Sequence, residues 1–259
     1  MHPMLNIGVR AARRAGDLIV RHMDRLADVK VETKACNDFV SEVDREAERS
    51  IIETIRRSYP DHAFIAEESG RSGSGEFEWI IDPLDGTTNF LHGFPVFAVS
   101  IALRIRGRIE HGVIYDPLRQ ELFTASRGGG ARLDDRRLRV GVRKELSSAL
   151  LGTGFPYREG DDIDTYMKTF RAMTEKSRGI RRAGAAALDL AYVAAGRLDG
   201  FWEMNLQLWD IAAGALLVQE AGGLVGSLDG GTDHFETGNI LAANPKLFAE
   251  MAKVFRPLV

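Results

Sequence analysis

Cysteine is nearly absent from this sequence, since Cys36 is the only one among 259 residues. A single cysteine excludes an internal disulfide framework, and with it the small secreted domains that depend on such bridges. The composition suits a reducing compartment, and we expect the protein to be cytoplasmic. No histidine stands near Cys36 in the sequence, so nothing indicates that its thiol acts as a nucleophile.

The sequence also lacks a long apolar run and a large excess of either charge. No stretch is apolar over the length that a membrane-spanning helix needs, so we expect no membrane association. The charged residues Arg10, Arg13, Arg14 and Asp17 interrupt the N-terminal segment, which therefore does not read as a signal peptide. The formal net charge is −3, and this near balance gives no general argument for binding nucleic acid or lipid.

What the sequence does have is an alternation of apolar and polar segments along its whole length. Hydrophobic residues make up 44% of the chain, which is ordinary for a globular protein. An amphipathic helix is predicted over 4–23 and an alanine-rich helix over 184–195, with strands between and after them. A further helix is predicted over about 41–58, with Ser41 as its N-cap and Asp44 in the position of a capping box. We therefore expect an α+β fold of mixed sheets layered with helices. No low-complexity linker interrupts the pattern, so we predict one domain over 1–259, made of two packed halves at about 1–145 and 146–259.

The middle of the chain has the pattern of an antiparallel sheet. Apolar runs over 97–104 and 109–115 stand on either side of Gly107, which predicts a β-hairpin. Two further strands are predicted over 121–126 and 137–142. These strands follow directly on the segment that contains the first candidate site residues.

That segment covers residues 79–90. It begins as an apolar run typical of a buried strand and continues into Asp82, Pro83, Asp85 and Gly86. Carboxylates at the end of a buried strand favour a cation, because burying an unpaired charge is costly. The polar residues after Gly86 predict a helix start, whose exposed N–H groups favour an anion. A divalent metal together with a phosphate group meets both demands, whereas ordinary turn chemistry explains the same residues without either.

Three other acidic positions stand at the ends of predicted elements. Glu67 comes after a short strand, Glu203 ends a later strand, and Asp210 stands at the start of a helix. Mg²⁺ prefers oxygen ligands of this kind, provided that the sheet brings the strand ends together. Each position also has an ordinary explanation, because Asp210 suits the first turn of any helix and the glutamates suit exposed loop ends.

Taken together, these segments resemble the inositol monophosphatase family, within the superfamily of Mg²⁺-dependent, lithium-sensitive phosphatases that includes fructose-1,6-bisphosphatase. Segment 82–90 is similar to the first signature of the family and segment 209–223 to its second, while Glu67–Ser69 matches the acidic segment upstream. The resemblance extends over nearly the whole chain. It implies a layered α-β-α-β-α sandwich, a homodimer, and Mg²⁺-dependent hydrolysis of a small sugar or polyol phosphate, with myo-inositol monophosphate as the first expectation.

The resemblance also implies a metal site with two or three Mg²⁺ ions. By position, Glu67 and Asp82 hold the first ion together with the backbone carbonyl of Leu84. Asp82, Asp85 and Asp210 hold the second ion, and Glu67 also meets a third, weaker one. The expected mechanism is in-line attack by a metal-activated water, without a side-chain nucleophile.

Further roles follow from the same resemblance. Thr87 and Glu67 orient the attacking water, and the backbone N–H groups of Gly86 and Thr87 bind the phosphate. Ala185 stands where the family often has threonine, which removes a hydroxyl contact there. Lys34, Asp38 and Asp44 fall in a segment that approaches the metals in the family. The positions expected to face the alcohol part of the substrate are Asp85, Gly184, Ala185, Ala186, Glu203 and Asp210.

Two alternative functions remain open. The first is hydrolysis of another small phosphomonoester, namely 3′-phosphoadenosine 5′-phosphate, fructose 1,6-bisphosphate or histidinol phosphate. The second is a regulatory protein that contacts RNA or RNA polymerase, since bacterial proteins this close to the family pattern are associated with transcription antitermination and Nus factors. A basic run favours this role, although Asp134 and Asp135 dilute it and a solvated face explains it equally. The run consists of Arg132, Arg136, Arg137, Arg139, Arg143 and Lys144, preceded by Arg104, Arg106 and Arg108.

Overall fold

The computed structural model describes residues 2–23, 25–26, 31–35, 38–156 and 161–259. Cys36 and the side chains of Lys34 and Asp38 lie outside the described set. Across the part that is described, no helix is both long enough and apolar enough to cross a membrane.

The elements alternate along the chain as the sequence predicts. The helices are α1 (Pro3–Met23), α2 (Glu42–Arg56), α3 (Thr87–Leu91), α4 (Ile163–Lys176), α5 (Ala186–Ala194), α6 (Leu208–Glu220), α7 (His234–Thr237) and α8 (Pro245–Phe255). The strands are β1 (Val31–Ala35), β2 (Asp38–Ser41), β3 (Ala63–Ala66), β4 (Gly70–Ser72), β5 (Phe77–Asp85), β6 (Ala98–Ile105), β7 (Arg108–Asp116), β8 (Glu121–Ser126), β9 (Gly130–Leu133), β10 (Arg136–Arg137), β11 (Leu150–Thr153), β12 (Gly179–Arg181), β13 (Gly200–Glu203), β14 (Leu224–Gly226) and β15 (Ile240–Ala243).

The larger sheet has eight strands in the order β10-β9-β8-β7-β6-β5-β3-β4. Neighbouring strands are antiparallel except β3 and β5, which run parallel. Parallel strands end at the same edge of a sheet, so the residues that follow β3 and β5 lie beside each other. The predicted hairpin is confirmed, because β6 pairs with β7 across a turn in which Gly107 has φ +81°.

The smaller sheet has five strands in the order β12-β11-β13-β15-β14. Its strands β12, β11 and β13 are parallel, while β15 is antiparallel to both of its neighbours. One hydrophobic cluster contains Ile80 from the large sheet and Phe201 from the small one, so the two sheets share a core. The division of the domain into halves at residue 145 stays a prediction.

Helices cover both sheets and also fill the space between them. Helices α1 and α2 pack on the outer face of the large sheet, α5 and α6 lie between the sheets, and α4 and α8 pack on the small sheet. The predicted α-β-α-β-α layering is therefore confirmed. Helices α5 and α6 are apolar on all sides because sheets or helices surround them. They approach closely at Gly214, where a Cβ would lie 2.5 Å from the Leu190 side chain.

Helix α2 begins where the sequence predicts. The Ser41 hydroxyl accepts hydrogen bonds from the backbone N–H groups of Val43 and Asp44, and Asp44 in turn accepts one from the Ser41 N–H at 2.9 Å. This capping box satisfies N–H groups that a helix start leaves unpaired. It also fixes the Asp44 carboxylate at the end of α2 that faces the site.

The strand predicted over 137–142 is wrong over most of its length. Only Arg136 and Arg137 pair with β9, as the last strand of the large sheet. The chain then leaves the sheet, and Val140 donates its N–H to the carbonyl of Ala221 at the end of α6. An alternating pattern predicts an extended backbone but does not show which partner its hydrogen bonds take.

Candidate active site

A cavity of about 330 Å³ lies where the ends of β5 and β13 meet the starts of α5 and α6. It is lined by every residue that the sequence analysis assigned to a site, although these come from five separate stretches of the chain. What each of them binds stays a prediction. These residues are Glu67, Asp82, Leu84, Asp85, Gly86, Thr87, Gly184, Ala185, Ala186, Glu203 and Asp210.

Glu67 reaches the cavity because β3 runs parallel to β5. Its backbone N–H donates to the carbonyl of Ile81 at 3.1 Å, which extends the ladder by one residue and places Glu67 beside Asp82. The turn that follows is held by Glu48 of α2, whose carboxylate accepts hydrogen bonds from the N–H groups of Glu68 and Ser69 at 2.7 and 2.9 Å. Sequence reasoning missed Glu48, because a glutamate on a predicted helix has no local feature that marks it.

The end of β5 is irregular, and Asp82, Leu84 and Asp85 of this irregular end line the cavity. The pairing of β5 with β6 shifts between Asp82 and Asp85, where proline at 83 has no N–H to donate. Asp82 accepts a hydrogen bond from the Leu84 N–H at 3.0 Å, which closes the turn. Gly86 follows with φ +95°, and a Cβ there would lie 2.9 Å from the carbonyl oxygen of Val96. Only glycine fits this position without strain.

Thr87 begins α3, and Asp44 fixes its hydroxyl. The Thr87 Oγ1 lies 2.8 Å from Asp44 Oδ1 and 3.1 Å from the carbonyl oxygen of Leu84. Asp44 is fully buried, and its other oxygen accepts from Ser41, so its position is set by the cap of α2. The candidate Asp44 therefore contacts the site through Thr87.

Asp85 connects the end of β5 to the start of α5. Its Oδ2 accepts a hydrogen bond from the Ala187 N–H at 2.7 Å. The N-cap of α5 is Ala185, which has no side-chain oxygen to cap the helix, so Asp85 supplies the acceptor from another sheet. In α6, Asp210 similarly accepts from the N–H of Gln207 at 2.7 Å. The first turns of α5 and α6 thus lie next to the carboxylates of Asp85 and Asp210.

The cavity is also lined by one more acidic side chain and one basic side chain. Glu203 is only 8% exposed and lies against Gly154, where a Cβ would overlap its carboxylate. Arg182 also lines the cavity, with its guanidinium 5.1 Å from the ring centroid of Phe155. Sequence reasoning missed Gly154, Phe155 and Arg182. In the case of Arg182, nothing in the sequence distinguishes this residue from its neighbour Arg181.

Carboxyl groups in the cavity repel one another when they are charged. Burial raises the pKa of Asp82 well above its usual value, and the charges of Glu67, Asp85 and Asp210 raise it further. Burial, followed by the charge of Asp210, raises the pKa of Asp85 to about 8, although backbone N–H groups of α5 oppose the shift. Burial together with Asp189 and Asp210 also raises the pKa of Glu203. The cluster therefore holds protons at neutral pH unless a cation replaces them.

Comparison with known proteins identifies the family. A sequence model described as the inositol monophosphatase family matches residues 1–258. The chain belongs to this family. A curated relative from Pseudomonas aeruginosa, named Nus factor SuhB, is 57% identical over 263 residues, which cover 99% of this chain and 97% of the relative.

Solved structures of the inositol monophosphatase family have the same fold. The extragenic suppressor protein suhB from Bartonella henselae superposes with a TM-score of 0.96 at 46% identity, covering 98% of this chain and 99% of that chain. The inositol monophosphatase from Anabaena superposes with a TM-score of 0.84 at 39% identity, covering 98% and 95%. The resemblance drawn from the sequence is thereby confirmed for both family and fold.

The donor atoms in the cavity suit Mg²⁺, on which this family generally depends. They are carboxylate oxygens and the Leu84 carbonyl, the hard oxygen donors that Mg²⁺ prefers. Within the described residues, no group of three or more His, Cys, Asp or Glu side chains is already arranged as a metal site. Bound Mg²⁺ keeps several waters, so its carboxylate ligands need not form a closed cage of protein side chains before the ion binds. Burial and the neighbouring acids Glu67, Asp85 and Asp210 raise the pKa of Asp82, so a cation bound among these carboxylates would favour its charged form.

Proposed function

We propose that this protein is a Mg²⁺-dependent phosphomonoesterase that hydrolyses a small sugar or polyol phosphate, with myo-inositol monophosphate as its reference substrate. The observation that carries the proposal is the meeting of Glu67, Asp82, Asp85 and Asp210 at one cavity beside two helix starts. Membership of the inositol monophosphatase family supports it. The cavity of about 330 Å³ suits a ligand of this size.

The proposed mechanism assigns a task to each residue at the reacting end. Glu67, Asp82 and the Leu84 carbonyl would hold one Mg²⁺, while Asp82, Asp85 and Asp210 would hold a second. When bound, Mg²⁺ lowers the pKa of water and neutralises charge on the phosphoryl oxygens. Thr87 and Glu67 orient the attacking water, with Thr87 held in place by Asp44.

The remaining residues bind the two halves of the substrate. Backbone N–H groups of Gly86 and Thr87 donate to phosphoryl oxygens, where charge accumulates during in-line attack. Glu203 and Asp210 accept hydrogen bonds from hydroxyl groups of the alcohol. The short side chains of Ala185 and Ala186 leave room for a compact ring on that side.

A phosphate-release assay across several substrates tests the proposal. We expect release from myo-inositol 1-phosphate in the presence of Mg²⁺ and none above background after chelation by EDTA. Histidinol phosphate, 3′-phosphoadenosine 5′-phosphate and fructose 1,6-bisphosphate are measured in parallel, since they are the alternative substrates. Failure to release phosphate from any of the four with Mg²⁺ present would contradict the proposal.

A homodimer and a cytoplasmic location belong to the same proposal. Large apolar side chains are exposed on α4 and just before it, with Phe155, Ile163 and Met167 at 45%, 57% and 52%. An exposed apolar patch of this kind favours contact with another protein surface, and a second copy is the proposed partner. The single cysteine supports the cytoplasm. Light scattering after size exclusion measures the mass of the assembly.

We also propose a second role as a partner of the transcription machinery. Relatives at 57% and 52% identity are named Nus factor SuhB, which favours this role. The last strand of the large sheet supports it with an exposed group that we call the basic edge. No carboxylate within the described residues lies at ion-pair distance from Arg136 or Arg137 in this group. The basic edge consists of Arg132, Arg136, Arg137 and Arg139.

Charge reversal of the basic edge is expected to weaken binding to RNA and to purified RNA polymerase. We expect Arg136→Glu with Arg137→Glu to lower RNA affinity by about tenfold or more at low salt, because phosphate contacts dominate such binding. Fluorescence anisotropy with labelled RNA over a KCl series measures this change. The matched control is Arg10→Glu with Arg14→Glu on the exposed face of α1, which changes the net charge equally. Equal binding by both double variants would remove the basic edge from this role.

A further inference from the structure

Helix α2 carries two buried acids on one face, and each of them reaches a different part of the candidate active site. Asp44 and Glu48 stand four residues apart, so they lie on the same side of the helix. Asp44 accepts a hydrogen bond from the hydroxyl of Thr87, whereas Glu48 accepts from the turn that follows Glu67. One helix therefore holds Thr87 and the turn next to Glu67, the two residues that we propose to orient the attacking water.

Glu48 holds this turn with both of its carboxylate oxygens. Oε2 accepts a hydrogen bond from the Glu68 N–H at 2.7 Å, and Oε1 accepts one from the Ser69 N–H at 2.9 Å. Both N–H groups lie beyond Ala66, where the pairing of β3 with β5 and with β4 ends, so they stand outside the strand ladders. Charged acceptors form the stronger hydrogen bonds to backbone N–H groups, and here each oxygen has its own donor.

The backbone of Glu67 is held on both sides as a result. On one side, its own N–H donates to the carbonyl of Ile81 at 3.1 Å. On the other side, the peptide group between Glu67 and Glu68 carries the N–H that Glu48 accepts. Because peptide groups are planar, these two hydrogen bonds restrict φ and ψ of Glu67 and so the direction of its Cα–Cβ bond. The side chain that lines the cavity is thereby aimed by contacts outside the cavity.

Helix α2 is itself firmly placed, so its side chains are suited to fixing other groups. The capping box at Ser41 completes its first turn. Its apolar face belongs to the same hydrophobic cluster as Ile81 of β5, and close packing of this kind resists displacement. The helix residues in that cluster are Val43, Ala47, Ile51 and Ile55.

We propose that Glu48 is a positioning residue of the active site, which holds Glu67 where it can bind Mg²⁺ and orient the attacking water. This inference rests on the proposed phosphatase function. Among the described residues, Glu48 is not one of those that line the cavity, so its effect passes through the backbone next to Glu67. Groups that orient a metal ligand typically contribute about 10- to 100-fold to metal affinity or activity.

Two substitutions separate the position of Glu48 from its charge. Glu48→Gln keeps the length of the side chain but turns an amide NH₂ group toward one of the two N–H donors. Glu48→Asp keeps the charge but is one methylene shorter, so its oxygens reach the turn less well. We expect each variant to weaken Mg²⁺ binding by about tenfold or more, measured by titration calorimetry without substrate. Circular dichroism in urea gives the stability and the folded fraction of each variant.

The kinetics of phosphate release from myo-inositol 1-phosphate give a second readout. With Mg²⁺ at saturation for each protein, we expect kcat to fall by about tenfold, because a displaced Glu67 orients the attacking water less well. KM should stay within about twofold of the wild-type value, since Glu48 is not placed to contact the substrate. A merely structural role would lower the amount of folded enzyme and leave the affinity for Mg²⁺ unchanged.

Glu220→Gln is the matched control. Glu220, at the end of α6, also accepts from two backbone N–H groups, those of Gly128 and Gly130, each at 2.8 Å. It holds the turn between β8 and β9, and it is not among the described residues that line the cavity. We expect this variant to lose stability but to bind Mg²⁺ with wild-type affinity.

Three results would overturn the inference and leave the phosphatase function standing, provided that the wild type releases phosphate with Mg²⁺. The first is wild-type affinity for Mg²⁺ in both Glu48 variants. The second is a loss in Glu48→Gln alone, which would mean that Glu48 acts through its charge. The third is an equal loss in Glu220→Gln, which would assign the effect to general stability. If the wild type releases no phosphate with Mg²⁺ present, the proposed function fails and the inference fails with it.

Discussion

Asp82→Asn is expected to lower kcat/KM for phosphate release by about 10³-fold or more, since loss of a shared metal ligand removes several kcal/mol of transition-state stabilisation. Asp82 is the residue that both proposed Mg²⁺ positions share. Asparagine keeps the oxygen that accepts the Leu84 N–H, so the turn at the end of β5 persists. The measurement is initial-rate phosphate release from myo-inositol 1-phosphate over a range of Mg²⁺ concentrations.

Although Asp82→Asn is expected to lose activity, we expect it to be at least as stable as the wild type. Without metal, Asp82→Asn should unfold at an equal or higher urea concentration than the wild type at pH 8. The reason is that burial and neighbouring charges raise the pKa of Asp82, so its charged form destabilises the folded protein. Circular dichroism in urea measures the midpoint of unfolding.

Asp199→Asn is the control for removing a buried acid elsewhere. Asp199 accepts from the Leu150 N–H at 2.9 Å and pairs with Arg143 at 3.2 Å, and it does not line the cavity. We expect this variant to lose stability but to keep Mg²⁺-dependent turnover. Phosphate release by Asp82→Asn at the wild-type rate would count against the proposed site.

Stabilisation by Mg²⁺ is expected to depend strongly on pH. At pH 8 and a concentration 100 times its dissociation constant, Mg²⁺ should raise Tm by about 5–10 °C. At pH 6 the same concentration should raise Tm far less, because protons occupy the carboxyl groups. Burial raises the pKa of Asp85 to about 8, so its proton must leave before the carboxylate can bind a metal.

The sign of the pH effect on the metal-free protein follows from the same shift. In an unfolded chain the pKa of an aspartate is about 3.9. With a pKa of about 8 for Asp85 in the folded protein, folding binds a proton over the interval between these values. The free energy of unfolding without metal therefore falls as pH rises from about 4 to about 8 and then levels off.

Two measurements check this prediction. Differential scanning calorimetry with and without Mg²⁺ at pH 6, 7 and 8 gives the Tm shifts. Titration calorimetry at pH 7 in buffers of different ionisation enthalpy gives the number of protons released as Mg²⁺ binds. A Tm shift that is equal at pH 6 and pH 8, together with no proton release, would contradict the proposed coupling between Mg²⁺ binding and loss of protons from the carboxyl groups.

The sequence predicts elements and candidate acids better than it predicts their contacts. The hairpin around Gly107 and the cap at Ser41 depend on residues a few positions apart, and both are confirmed. The contacts of Asp44 with Thr87 and of Asp85 with Ala187 join distant segments, and no local pattern encodes them. Only the resemblance to a family predicted that Glu67, Asp82, Asp85 and Asp210 lie together. Secondary-structure propensity alone does not predict this.

The errors of the sequence-based predictions also come from contacts between distant segments. The strand predicted over 137–142 is wrong after Arg137, because the backbone of Val140 finds its partner on α6 and not on a strand. Arg182 was missed because its placement depends on the ring of Phe155 and on Gly184, which Asn89 holds. These are tertiary contacts between elements, and hydrophobic periodicity carries no information about them.

The hydrogen bond from Ala187 to Asp85 has a consequence for how the protein is made. A nascent chain that has emerged only as far as β9 already contains Glu67, Asp82 and Asp85, yet it lacks α5 and α6. Until those helices leave the ribosome, Asp85 has neither the Ala187 N–H group to accept from nor the Asp210 carboxylate beside it. The proposed active site is therefore completed late in synthesis, and a chain that terminates before residue 208 lacks the Asp210 part of it.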